Sequence, residues 1–138
     1  MANLSNFAEN KIATWLAGGV APTQLTTVFL DVHNGDPGET STPNGTSVYQ
    51  TLTGTAGRRS LSASSTFAVI DNSIVQNSIE ILLTSSASAN CTISYFSIWD
   101  ANTNGNLLYW GAITNSPINV IATNRVSFAP NSIQITVA

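Results

Sequence analysis

The chain has 138 residues, enough for one domain to bury a core without disulfide or metal staples. Only 8% of the residues are charged, and with a net charge of −3 the four cations, Lys11, Arg58, Arg59 and Arg125, do not form the basic stripe that nucleic acid needs. No apolar run reaches the length of a membrane span, no secretory leader is visible, and the single cysteine, Cys91, excludes an internal disulfide framework. Neutral hydroxyls and amides supply the polar surface. Such a surface repels itself weakly, which predicts a chain made in a reducing cytoplasm and packed against neighbours.

Residues Leu4–Ala17 carry the only helical pattern, with Leu4, Phe7/Ala8, Ile12 and Trp15/Leu16 recurring on one stripe. Asn3 or Ser5 is placed to cap its start, Glu9 lies towards the positive end of the dipole, and Gly18-Gly19 stops it. Its two readings are a cap on the open end of a β-sandwich and a docking arm laid on a neighbouring subunit. From Thr26 the period changes to two: Val28, Leu30 and Val32 face one way, and Phe29, Asp31 and His33 the other. The stretch Asn34–Ser47 is rich in Gly, Pro and turn formers and predicts a long loop. Val48–Leu52 reads as a short strand and Gly54–Arg59 as a turn.

Leu61–Ile70, Ser73–Thr84 and Thr92–Asp100 continue the β pattern. Asn-Ser-Ile recurs at Asn72, Asn77 and Asn131, twice followed by alternation: Ile79, Ile81, Leu83 and Ile133, Ile135, Val137. Within Ile93–Ile113 two apolar runs flank a polar segment containing Asn104-Gly105, a strong hairpin signal because both residues tolerate positive φ. Ile93, Tyr95 and Trp99 are read onto one face of the first run, and Phe96 and Ile98 onto the other. The second run, Leu107–Ile113, is apolar on both faces, which predicts the middle of a sandwich or a place between a core and a partner. Pro117–Ile121, Arg125–Phe128 and Ser132–Val137 complete the strands. Glu80, set among isoleucines, is expected to face solvent or pair with an arginine.

Chemistry-bearing constellations are few. A Ser-His-Asp set can be drawn around His33, but so many serines guarantee a match by chance, and no nucleophile-elbow motif accompanies it. Asp31, His33, Asp36 and Glu39 crowd one strand end and loop as cation candidates. Asp-Pro-Gly is ordinary turn chemistry, however, and a lone His on a solvent face needs no role. Cys91 has no partner for redox or metal work. Arg58-Arg59 is the one concentrated charge and a candidate interface anchor, since Arg is enriched at interface centres. Tyr49 is the one aromatic near the long loop that suits a glycan contact.

The layout resembles a family of small bacteriophage virion structural proteins. The similarity rests on the helix Glu9–Gly19 (ENKI…WLxGG), on Asp36–Glu39 (DPGE), most specifically on Ile98–Ile113 (IWDAxTxGNLLYWGAI), and on the final strand pair Arg125–Val137. The stretch Thr40–Ser65 departs from that pattern. Members are described as tail-fibre-like or head-decoration proteins, so the resemblance implies a virion component. It further implies a capsid decoration or cement protein on the outer capsid surface, with the major capsid protein as partner. A tail or tail-fibre component, receptor-binding through the long loop, is the alternative.

Residues and resemblance together predict a mainly β chain. The expected fold is a jelly-roll-like antiparallel β-sandwich of about eight strands with one N-terminal α-helix, forming a single domain over residues 1–138. The expected role is non-enzymatic, without cofactor, metal, nucleic acid or membrane. Self-association is expected, as a trimer if the protein sits where three capsomers meet. Arg58, Arg59, Trp15 and Tyr49 are the candidate interface residues.

Overall fold

The computed structural model describes residues 3–40, 47–114 and 117–137. Its centre is β2 (Thr27–His33), where strict alternation sends Val28, Leu30 and Val32 into the core. On one side β2 pairs with β3 (Arg59–Ser62), and on the other with β8 (Tyr95–Trp99), placing Phe29 opposite Trp99 and His33 opposite Tyr95. β8 turns back into β9 (Leu107–Ala112), whose far side carries the two-residue β1 (Asn3–Leu4). The result is an antiparallel sheet of order β1-β9-β8-β2-β3.

The remaining strands are short. β4 (Phe67–Ile70), β5 (Ile74–Asn77) and β12 (Gln134–Thr136) form a three-stranded sheet of order β12-β5-β4. β6 (Ile81–Thr84) pairs with β11 (Val126–Phe128), and β7 (Cys91–Ile93) with β10 (Ile118–Val120). The pairings beyond Ile74 share one logic. Ile98 opposes Tyr109, Ile93 opposes Ile118, Leu82 opposes Ser127 and Val75 opposes Ile135, all nested about Asn104-Gly105. Both tip residues have positive φ, 55° and 76°, as the sequence requires. The C-terminal half is thus one long antiparallel ribbon folded over on itself. Its outer segments lie against the five-stranded sheet, so that Ile81, Ile133 and Ile135 meet Val28, Leu30, Phe96 and Ile98 in the main core.

The protein is mainly β, an antiparallel sandwich with one N-terminal helix, as the sequence predicts. Among the described residues twelve strands outnumber the expected eight because long predicted strands are broken. Leu61–Ile70 is split by a single helical turn, α3 (Ala63–Thr66). Ser73–Thr84 is interrupted at 78–80, so Ile79 is half exposed while Ile81 and Leu83 are buried. Glu80 lies in that break and pairs with Arg125, one of the two expected outcomes. A further break at Ser94, which bonds the backbones of His33 and Ile113, turns Ile93 into the main core, away from Tyr95 and Trp99. The expectation that Ile93 shares a face with those two is therefore wrong. In β9 an extra residue at the register shift sends Leu108 and Tyr109 to the core side and Leu107 and Trp110 to the other, which explains a run apolar on both faces.

Two further expectations need correction. The first helix, α1, spans Asn6–Leu16; Leu4 belongs to β1, and Ser5 is the cap, accepting from the Ala8 N–H at 3.1 Å. Val48–Leu52 is not a strand. Tyr49–Thr53 forms a helical turn, α2, closed by Gly54 at φ 73°, because Val48, Tyr49 and Leu52 share one buried helical face that a strand would separate.

Candidate functional site

The five-stranded sheet has a second face, turned away from the main core. β2 presents Phe29, Asp31 and His33 there, β8 presents Tyr95, Ser97 and Trp99, and β9 presents Leu107 and Trp110. Ser97 and His33 are wholly buried, so a lone histidine on a solvent face is the wrong reading of His33. The Ser97 hydroxyl accepts from Trp99 Nε1 at 2.7 Å and lies 2.7 Å from His33 Nε2. Asp31 Oδ1 accepts from the Ser47 hydroxyl at 2.6 Å and from the Val32 N–H at 2.9 Å. Its other oxygen stands 3.9 Å from both His33 Nε2 and Arg58 Nε.

Serine, histidine and aspartate are therefore close together, but not as a relay. A triad engages the two imidazole nitrogens separately, whereas here Ser97 and Asp31 both approach Nε2. The proposed cation set is not assembled either. Asp36 caps Gly38 N–H at 2.8 Å within its own turn, and no group of three or more His, Cys, Asp or Glu could hold a metal among the described residues.

Arg58 closes this face. Its guanidinium lies 3.8 Å over the Trp99 ring, and Nη1 donates to the carbonyls of Ala101 at 2.8 Å and Asn104 at 2.7 Å. Burial lowers the guanidinium pKa below its ordinary value, an effect opposed by nearby Asp31 and Asp100. Gly57 makes the approach possible: at φ 96° it adopts a backbone that L side chains disfavour, and a Cβ there would lie 2.7 Å from Asn102 Oδ1, the acceptor of the Arg58 N–H. Arg59 is also engaged within the chain, donating from Nε to the Leu82 carbonyl at 2.9 Å. Tyr49 is buried in the main core, which removes it as an exposed glycan contact. Trp15 alone of the four candidate interface residues is substantially exposed, at 51%. Residues 41–46 of the predicted long loop lie outside the described residues, and Cys91 is half-buried, with its thiol pKa pushed up by burial.

The opposite situation holds beside α1. No residue of this helix is buried, although its apolar stripe faces the sandwich. Between helix and sandwich runs a groove of about 720 Å³, walled by Phe7 and Ile12 on the helix side and by Leu108, Tyr109, Phe67 and Val75 on the sandwich side. Tyr109 stands edge-on to both Phe67 and Phe96, at centroid distances of 6.3 and 6.4 Å, and so links the two layers at this end. Burial raises its phenol pKa well above the ordinary value. Beyond the groove Leu16 is 74% exposed and Val69, on edge strand β4, 66%. Sequence reasoning offered both a cap and an arm for the helix; the structure places it at the open end without filling that end.

These features define an antiparallel β-sandwich with one closed polar-aromatic face and one open apolar end. The chain belongs to a family of phage virion structural proteins: the family model described as Podophage GP4 fiber I protein gp80 matches residues 3–136. This is the kind of family implied by the resemblance at Glu9–Gly19 and Ile98–Ile113. No curated protein matches the chain.

Proposed function

We propose that this protein is a non-enzymatic packing module of the phage particle, a jelly-roll-type sandwich that attaches to neighbouring virion subunits through its open end. The observation that carries this reading is α1, an amphipathic helix of eleven residues that buries none of them within its own chain. The groove it walls and the exposed Trp15 and Leu16 at its end are the kind of apolar surface that marks an interaction site. Placement on a fibre is favoured by the family description. Placement on the outer shell, with the major capsid protein as partner, is the second reading. It is favoured by the scarcity of charge, since 8% charged residues suits wet, hydrogen-bonded contacts repeated many times.

Electron microscopy of virions labelled with an antibody to this chain distinguishes the two placements. Label on fibres or the tail supports the first and label on the shell the second; intact particles that lack the protein altogether would refute both. The non-enzymatic reading is tested separately against peptidoglycan, surface polysaccharide and ester substrates. Turnover abolished by His33→Ala would overturn it.

A further inference from the structure

We propose that the groove beside α1 is a binding site for one small amphiphile, a molecule with an elongated apolar body and a carboxylate head. This goes beyond attachment to a neighbour. The ligand occupies the space between helix and sandwich, while Trp15, Leu16 and Val69 do not line that space and stay exposed outside it.

The first observation is shape. The space has walls on three sides. Phe7 and Ile12 come from α1, and Leu108 and Val75 from the sandwich. The linker after the helix supplies the third wall with Val20 and Leu25, apolar side chains that border the groove although both are exposed. At about 720 Å³ the groove falls within the range of small-molecule sites, roughly 300–1,000 Å³. Such sites are mostly apolar, with a few polar groups that fix orientation. Three walls admit a single molecule. A bilayer would need an open apolar face, and a net charge of −3 gives this chain little attraction for anionic lipid.

The second observation is charge. Lys11 and Asp100 are the charged residues of the lining, and they differ in what already holds them. Both Asp100 oxygens are taken by Asn106, Oδ1 accepting from its N–H at 2.7 Å and Oδ2 from its side-chain amide at 2.9 Å, with Arg58 nearby. Among the described residues no ion pair involves Lys11, whose ammonium stands 5.5 Å from the centre of the Phe7 ring. A carboxylate brought there makes a charge-assisted hydrogen bond that the chain itself leaves unmade.

The third observation lies on the sandwich wall. The Tyr109 hydroxyl makes no hydrogen bond among the described residues, and burial alone raises its pKa. A polar group in apolar surroundings is costly until an acceptor reaches it. The groove therefore offers donors, an ammonium and a phenol, and no unengaged carboxylate. That combination selects an acceptor-bearing anion over a cation or a plain hydrocarbon.

Titration calorimetry of the purified chain with sodium decanoate, kept below its micelle-forming concentration, tests the site. The expected result is saturable binding of one decanoate per chain. Lys11→Gln should weaken it by roughly tenfold. Ala8→Trp, which pushes an indole into the groove from the helix wall, should abolish it. Melting temperature should be nearly unchanged in both, since neither side chain belongs to the buried core. Decyltrimethylammonium, with the same tail and the opposite charge, should bind at least tenfold more weakly than decanoate. Absence of saturable decanoate binding overturns the proposal. Binding that neither variant changes overturns it too, as does tighter binding of the cationic amphiphile. Should Ala8→Trp fail to fold, Lys11→Gln decides alone. None of these failures bears on attachment within the virion, which the labelling experiment reads separately.

Discussion

The closed face around Trp99 and the open end around α1 are built from similar materials and reach opposite states. Each combines aromatic and aliphatic side chains with a cation: Arg58 near Asp31 and Asp100 at the closed face, Lys11 over the Phe7 ring at the open end. At the closed face the cation lies flat on an indole and its donors reach two carbonyls of the hairpin tip, while Trp110 Nε1 on the same face is buried without a hydrogen-bond partner among the described residues. At the open end the helix is held at its start, where the Ser5 hydroxyl donates to the Leu107 carbonyl, the Ser5 N–H to the Leu108 carbonyl and Phe7 packs against the main core, while Trp15 and Leu16 at its end stay exposed. The difference separates a face that this chain covers by itself from an end that it leaves apolar and exposed. Composition alone does not distinguish them; the partner of each charged group does.

The largest test of that contrast is Trp99→Ala. Trp99 is buried between the sheet and Arg58, and truncating a buried large aromatic typically costs about 3–5 kcal/mol. Denaturant unfolding should show a loss of that size. A variant melting within a degree or two of the parent would mean that the face is open and the contrast false.

Asn77→Ala comes next. Asn77 is fully buried at the break between β5 and β6; its amide donates to the carbonyls of Ile79 and Ala129, each at 2.9 Å, and accepts from the Ile133 N–H at 2.9 Å. Removing it leaves three backbone groups to find new partners. At about 1–3 kcal/mol for a buried group left unpaired, with partial rescue by water, the expected loss is roughly 2–4 kcal/mol. The measurement is again the denaturation midpoint, with an unchanged slope showing that the fold survives. No change in midpoint would show that the ribbon does not need this clamp.

Arg58→Ala should be milder, roughly 1–3 kcal/mol, from a cation–π contact and two hydrogen bonds at the hairpin tip. Arg58→Lys should recover only part, since an ammonium cannot lie flat on Trp99 and reach two carbonyls at once. The useful readout is a pair of numbers, stability and attachment to particles. Attachment lost at full stability would mean that Arg58 serves a partner, as its place in a charge-poor sequence suggested. Stability lost with attachment kept, for the folded fraction, is the outcome its geometry supports.

Much of this was legible in the sequence. Period two from Thr26 placed Val28, Leu30 and Val32 in the core, and Asn104-Gly105 marked the tip about which the whole C-terminal half is nested. What escaped were features fixed by groups distant in the chain. His33 looked exposed because alternation puts it opposite a core face; nothing local reveals that this second face is also covered. Asn77 stood out only as one of three recurring Asn-Ser-Ile, and its bonds to Ala129 and Ile133, over fifty residues away, make it a clamp. Tyr49 was misassigned because five residues are too few for periodicity to tell a strand from one helical turn. Arg58 and Arg59 stood out as a pair, yet the carbonyls that hold them belong to the hairpin tip and to β6. The helix was the converse case: its stripe was plain, but a stripe does not say whether its mate lies in the same chain.

Tyr109→Phe makes the smallest change at neutral pH and probes the open end directly. Tyr109 forms part of the groove wall, and burial raises its phenol pKa above the ordinary value near 10. The folded chain therefore keeps this proton at a pH where the unfolded chain has released it. Linkage then gives the sign. The phenol's contribution to stability is fully present below about pH 10 and declines as the pH rises beyond it, by up to about 1.4 kcal/mol per pH unit for one proton. Phenylalanine has no proton to lose, so the variant should match the parent near pH 7 and become the more stable of the two between roughly pH 10 and 11. Urea unfolding at both pH values measures the difference. Parallel decline of parent and variant above pH 10 would show that Tyr109 ionises as freely folded as unfolded. The wall of the groove would then be wet, and the open end would be a solvated cleft instead of an apolar surface awaiting a neighbour.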